Sequence, residues 1–186
     1  QKGAALAGGE LLVFSDADII HHHPGSLRAA IDTLEGEGRD LLSFLPDFRF
    51  VTIWEHVLVP MYLTGLARWA RPTLEDPAHP DRALAAGAFI LVRREIFERI
   101  GGFECVRSDV LDDVNFSRAI KRAGGLVALR HGRECASVRL FKSNRDAFWG
   151  VRKNILADLE GRYWIAFLAI FAPPLAFAPP LVALGV

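Results

Sequence analysis

The chain has 186 residues, enough for one domain with a sizeable core, and its 22 basic and 22 acidic side chains cancel. That balance leaves no bulk charge to argue for nucleic acid as a partner. Its two cysteines, Cys105 and Cys135, form no CxxC and no His/Cys cluster of zinc spacing, so two reduced thiols are expected.

Hydrophobic residues make up 51% of the chain, high for a purely soluble domain, and the excess sits in roughly the last two dozen residues. Gln1–Ala5 has neither an initiator Met nor the features of a secretory leader. A fragment of a longer protein is the expectation.

Residues 2–9 read as a short helix, followed by the apolar strand Leu11–Phe14. That strand runs into Asp16-Ala17-Asp18. Side chains repeat every second residue along a strand, so Asp16 and Asp18 are expected on one face. Two hard carboxylates at the end of a buried strand suit Mg²⁺ or Mn²⁺ bound to phosphate oxygens. An Asp-rich turn is the bland alternative. Leu27, Ala30, Ile31 and Leu34 have helical spacing, which predicts a helix over 24–37. A second buried strand follows over 40–45, and this order implies a βαβ unit in an α/β sheet.

Residues 48–71 are rich in aliphatic and aromatic side chains. Pro60 predicts two shorter helices there, either a core pair or a surface resting on a membrane interface. Pro72, Pro77 and Pro80 mark a loop. Ala85–Val92 reads as a strand in which Gly87 permits close approach. A short helix over 93–100 is stopped by Gly101-Gly102. Residues 105–111 read as a loop, and Asp112-Asp113 opens a helix that ends at Gly124-Gly125. Short strands follow over 126–129 and 136–140, then a basic amphipathic helix over 144–160 with Arg145, Trp149, Arg152 and Lys153. Residues 163–186 carry no charge and begin with Tyr163-Trp164, which suits a bilayer span.

The Asp112/Asp113 pair has two readings. One carboxylate at a helix start is a good cap. Two adjacent ones repel, which raises the pKa of one and suits it to general-base work. His21, His22 and His23 diverge along the chain and read as a polar loop; His131 reads as solvated. The cationic segment suits either a diphosphate or anionic lipid headgroups.

Taken in order, these motifs resemble membrane-associated family 2 glycosyltransferases. The residues that carry the resemblance are Lys2-Gly3, Asp16-Ala17-Asp18, the run Gly87 to Arg94, Gly101-Gly102-Phe103, Val110 to Asp113, Ser137 to Ser143, and Phe148 to Asn154. The resemblance implies a GT-A-like (Rossmann-like) α/β fold, a mixed sheet flanked by helices, truncated at the N-terminus and followed by a C-terminal membrane segment. Residues 1–143 would be the partial catalytic domain, 144–162 an interface helix and 163–186 a transmembrane segment. Asp16 and Asp18 would hold Mg²⁺ or Mn²⁺ and the nucleotide-sugar diphosphate, with Lys2, Gly87, Arg145 and Trp149 also on the donor. Asp113, beside Asp112, would be the general base of an inverting transfer.

Phe148 stands where that family's (Q/R)xxRW motif has Arg. This departure points to single transfer to a lipid-like or isoprenoid acceptor rather than processive synthesis. The implied location is the cell membrane, with the catalytic side facing the cytoplasm. Two other readings stay open. One is a Mg²⁺-dependent phosphatase of the haloacid-dehalogenase type; the other is a non-catalytic module tethered to a membrane.

Overall fold

The computed structural model describes residues 2–70 and 73–158, with the side chains of all these but 66–70 and 156–158. Helix α1 (Lys2–Leu6) leads into β1 (Leu11–Ser15), β2 (Ile20–His21) and α2 (Ser26–Gly36). After β3 (Leu41–Leu45) and β4 (Asp47–Phe48) comes the long α3 (Ile53–Ala70). Then follow β5 (Phe89–Arg93), α4 (Arg94–Arg99), a 3-10 turn over Gly102–Val106, and α5 (Asp112–Arg122). The chain continues through β6 (Val127–His131), β7 (Ala136–Val138) and α6 (Asn144–Asp158).

The main sheet has the order β1-β5-β3-β6. β5 runs antiparallel to both β1 and β3, while β6 is parallel to β3. The expected strand–helix–strand unit is therefore present but split, because β5 is inserted between its two parallel strands. The burial of β5 explains its central place. Phe89, Ile90, Leu91 and Val92 are all buried, as a strand covered on both faces requires.

Alternate residues feed two cores. Leu41, Ile90, Val92 and Val127 pack with Ile96, Phe97, Phe116 and Ile120 of α4 and α5. Leu42, Phe44, Phe89, Leu91 and Ala128 pack with Ala30 and Leu34 of α2 on the opposite face. Helices thus cover both sides of the sheet. Phe103 stacks on Phe116 at 4.3 Å and meets Phe14 edge-on at 4.7 Å, which ties the 3-10 turn to the end of β1. Gly101 and Gly124 close α4 and α5 with φ of +80° and +84°, a region that only glycine enters cheaply.

A smaller sheet, β2-β7-β4, sits beside the first. The loop that leads toward β5 is held from α5. Buried Lys121 donates from Nζ to the carbonyls of Thr73 and Leu74 at 2.8 Å and of Arg82 at 3.1 Å. Glu75 of the same loop is also paired with Arg39 and Arg130, and both of these arginines pair with Glu37 as well. Both devices fix the approach to Ala85–Ala88.

The expected strand over 85–92 begins only at Phe89. Its first half leaves the ladder because buried Ser43 replaces a strand partner there. Ser43 Oγ donates to the Ala86 carbonyl at 3.1 Å and accepts from the Ala86 N–H at 2.8 Å.

The two helices expected on either side of Pro60 are one continuous helix, α3. Pro60 costs a hydrogen bond and crowds the preceding turn. Packing holds the helix through it: Val59 is buried, and α3 lies along α6. The start of α3 is also strongly fixed. Thr52-Ile53-Trp54-Glu55 forms a capping box, in which Glu55 Oε2 accepts from the Val51 and Thr52 N–H groups and from Thr52 Oγ1. Arg139 lies 3.6 Å from Glu55 Oε1. Burial opposes ionisation of Glu55, but these donors and the guanidinium outweigh it and hold the carboxyl at about 2.

The expected membrane segment over 163–186 lies outside the described residues. Among the described residues no helix is long and apolar enough to cross a membrane.

Candidate active site

β1 ends at Ser15, so Asp16-Ala17-Asp18 is a turn rather than the continuation of the strand, and the period-two expectation does not apply to it. The turn is anchored on both sides. The Asp16 N–H donates to the Ala88 carbonyl at 3.4 Å, and the Ile19 N–H closes onto the Asp16 carbonyl at 3.4 Å. Ser15 Oγ adds a bond to the Ala88 carbonyl at 3.1 Å. Asp16 is thereby laid alongside Gly87-Ala88.

From the other side comes the first turn of α5. The Gly87 N–H donates to Asp113 Oδ2 at 2.9 Å, and the Val114 N–H donates to Asp113 Oδ1 at 2.8 Å. Asp112 Oδ1 accepts from the Asp113 N–H at 3.1 Å. The N-cap of α5 is Leu111, which makes no side-chain cap bond, so neither aspartate is the cap residue itself. A Cβ at Gly87 would lie 3.5 Å from Asp113 Oδ2 and 3.8 Å from Asp16 Oδ2. Glycine leaves open a space between two carboxylates that a methyl group would fill.

Asp16, Asp18, Asp112 and Asp113 all line one cleft of about 480 Å³. Its floor is Ala85–Ala88. Much of the remaining lining is apolar, including Val59, Tyr62 and Leu63 of α3, Leu140 and Phe141 before α6, and Val151 of α6, with Asn154 among them. Partial burial raises the Asp16 carboxyl, and repulsion from Asp18 and Asp112 raises it further. Asp113 is also raised. Burial is the main cause, the bonds from Gly87 and Val114 pull against it, and Asp112 pushes the same way as burial.

Among the described residues no three His, Cys, Asp or Glu side chains converge into a metal cage. The donor set nonetheless fits a hard divalent cation. Mg²⁺ in particular is held by one or two carboxylates and completes its shell with water and substrate phosphate. Asp16 and Asp18 offer such a pair, and the mutual repulsion at Asp16 is what a cation would relieve.

Three residues expected on the donor are placed elsewhere. Lys2 is exposed on α1 and does not line the cleft. Arg145 and Trp149 are on the outer side of α6, where Trp149 stacks with Arg152 at 4.8 Å and meets Phe148 at 5.5 Å. The helical repeat explains this. Ala147 and Val151 are buried and Asn154 reaches the cleft, which makes an inward stripe spaced i, i+4, i+7. Trp149 and Arg152 fall on the opposite side, and Phe148 on the flank.

That same spacing is the signal that would have singled out Asn154. Ser43 carries no comparable sign in the sequence, since its role depends on a contact across 43 residues. His21 reaches only the edge of the site, with Nε2 3.3 Å from Ser15 Oγ. His21, His22 and His23 are all exposed, but His21 ends the short strand β2 paired with β7, so only His22 and His23 lie in a loop.

A scan against protein-family models gives no match, and a search of the curated proteins gives none. Among solved structures, the chain is similar to mannosyl-3-phosphoglycerate synthase from Rubrobacter xylanophilus, with a TM-score of 0.46 and 16% identity. That similarity covers 84% of this chain and 47% of the other, so the chain spans about half the length of the structure it matches.

Proposed function

We propose that the chain is the acceptor-side part of an inverting glycosyltransferase that uses a nucleotide-diphosphate sugar. The acceptor is the hydroxyl of a lipid-like or isoprenoid molecule. One observation carries this reading. Asp16, from the turn after β1, and Asp113, from the start of α5, meet across Gly87 in a cleft that Asp18 and Asp112 also line and whose remaining lining is largely apolar. The motif order that resembles family 2 glycosyltransferases supports it, and a GT-A arrangement is part of the same proposal.

In this mechanism Asp113 takes the proton of the acceptor hydroxyl. Its burial suits the task, because a carboxylate lifted above its ordinary range is a better base. The hydroxyl oxygen attacks the anomeric carbon in line, the bond from that carbon to the diphosphate breaks, and configuration inverts. The Gly87 N–H and Val114 N–H orient the Asp113 carboxylate during the transfer. Asp16 and Asp18 would hold Mg²⁺ or Mn²⁺, which when bound neutralises charge on the diphosphate oxygens. Asp112 keeps the basicity of Asp113 high by repulsion.

The membrane belongs to this reading as well. α3 exposes Ile53, Trp54, Val57 and Met61, and α6 exposes Phe148 and Trp149 beside Arg152. Aromatic and aliphatic groups next to a cation suit an anionic bilayer surface. The proposed location is the cell membrane, with the cleft on the cytoplasmic side.

Calorimetry on the full-length protein tests the donor end. Mn²⁺-dependent binding of a nucleotide sugar is expected in the native protein and lost in Asp16→Ala. Unchanged binding in that variant would remove the cation seat.

A further inference from the structure

The apolar end of the cleft plays no part in the proton chemistry. Phe141 is the wall residue there with an unusual neighbour. A Cβ at Gly150 would lie 2.2 Å from Phe141 Cε1 and 2.8 Å from its Cζ, far inside contact distance. The edge of the ring therefore rests directly on the backbone of α6, in a space open only because residue 150 has no side chain.

The helix itself has no use for glycine at that position. Gly150 is not among the glycines with positive φ, and glycine inside a helix is less favourable than alanine. What needs the glycine is the ring. Phe141 lies against α6 and lines the cleft at the same time. Any side chain at 150 must push the ring off the helix, and the open space available to it is the cleft. The clashing atoms belong to the far edge of a side chain that can rotate, so the fold survives the change.

We infer that the Phe141–Gly150 contact sets the bore of the cleft's apolar arm and so determines which aliphatic acceptors fit. This rests on the acceptor reading above and deepens it. The occupant is a single hydrocarbon chain carrying a terminal hydroxyl. Its hydroxyl must reach Asp113 at the acidic end, while Tyr62, Leu63 and Val151 line the other end with no charge among them. With the ring seated on α6 the arm admits such a chain, and a ring pushed into the arm obstructs it.

The test is photolabelling of the full-length chain in bilayers with a hexadecan-1-ol that carries a mid-chain diazirine, with labelled peptides mapped by mass spectrometry. Labelling of the peptides containing Tyr62 and Phe141 is expected in the native protein. It should fall roughly tenfold in Gly150→Ala, the effect of overpacking a fitted site. Adding Phe141→Ala to Gly150→Ala should restore it, since removing the ring removes the obstruction.

Mn²⁺ binding, read in parallel by electron paramagnetic resonance, should be the same in all variants and reports that the acidic end is folded. Loss of Mn²⁺ binding in the native protein would overturn the cation seat and leave the labelling pattern to decide the arm. Labelling that is indifferent to Gly150→Ala, absent from both peptides, or not restored in the double variant would overturn this inference.

Discussion

Glu55 and Asp113 occupy comparable places, each in the first turn of a helix beside the cleft region, yet their chemistry diverges. The Glu55 side chain is only 1% exposed, and burial opposes ionisation of both carboxyls. Even so, that of Glu55 is held down at about 2, while that of Asp113 is raised. The difference lies in the partners. One Glu55 oxygen accepts from two N–H groups and a hydroxyl, and Arg139 stands near the other. Asp113 has two N–H donors, and the charge that acts on it is that of Asp112, of like sign. Burial alone does not mark a reactive acid. Burial left uncompensated does.

The largest expected consequence falls on turnover. Asp113→Asn should lower glycosyl transfer by roughly 10²–10⁴-fold, the range for loss of a general base, with donor binding nearly intact. The same variant at Glu55, Glu55→Gln, should leave turnover per folded molecule close to native. In the native protein the acid limb of kcat/KM should lie above the ordinary aspartate range, because the Asp113 carboxyl is raised. A limb at or below that range would remove Asp113 as the base.

Stability should separate the two acids in the opposite sense. Thr52→Ala, which breaks the capping box, should cost about 1 kcal/mol, seen as a melting temperature lower by about 2–4 °C. The Glu55 carboxyl is lower in the folded state than in the unfolded one. Its contribution is therefore present above the ordinary glutamate pKa and is lost as pH falls through about 2.

Asp113 has the reverse sign. A raised folded-state pKa gives stability at low pH that is lost as pH rises through that raised value. At neutral pH the ionised Asp113 is a small burden on the fold. Asp113→Asn should consequently raise the melting temperature of the metal-free protein slightly at pH 7 and change it little at pH 3, measurable by calorimetric melting.

The local parts of this arrangement could be read from the sequence. The strand before Asp16, the helix start at Asp112-Asp113 and the glycine at 87 are each specified within a few residues. The α/β class was equally legible, from the strand–helix–strand order and the buried runs. What could not be read depended on distant contacts. Nothing near Phe89–Val92 says that this strand enters between β1 and β3. Nor does anything near Pro60 say that packing would hold one helix through it. Motif and charge point to Arg145 and Trp149, but the inward face of α6 is set by Ala147, Val151 and Asn154. Glu55, flanked by Thr52 in a capping box, was readable as a helix start. Its contrast with Asp113 required Arg139, 84 residues away in sequence, to be placed beside it.

The most direct test is transfer itself. The full-length native protein and Asp113→Asn would be incubated in membranes with Mn²⁺ and a panel of radiolabelled nucleotide sugars. The native protein should move label from one sugar nucleotide into a lipid fraction with inversion at the anomeric carbon, and Asp113→Asn should bind that donor without transferring it. Undiminished transfer by Asp113→Asn, or release of inorganic phosphate from phosphate esters with no lipid labelled, would contradict the assignment.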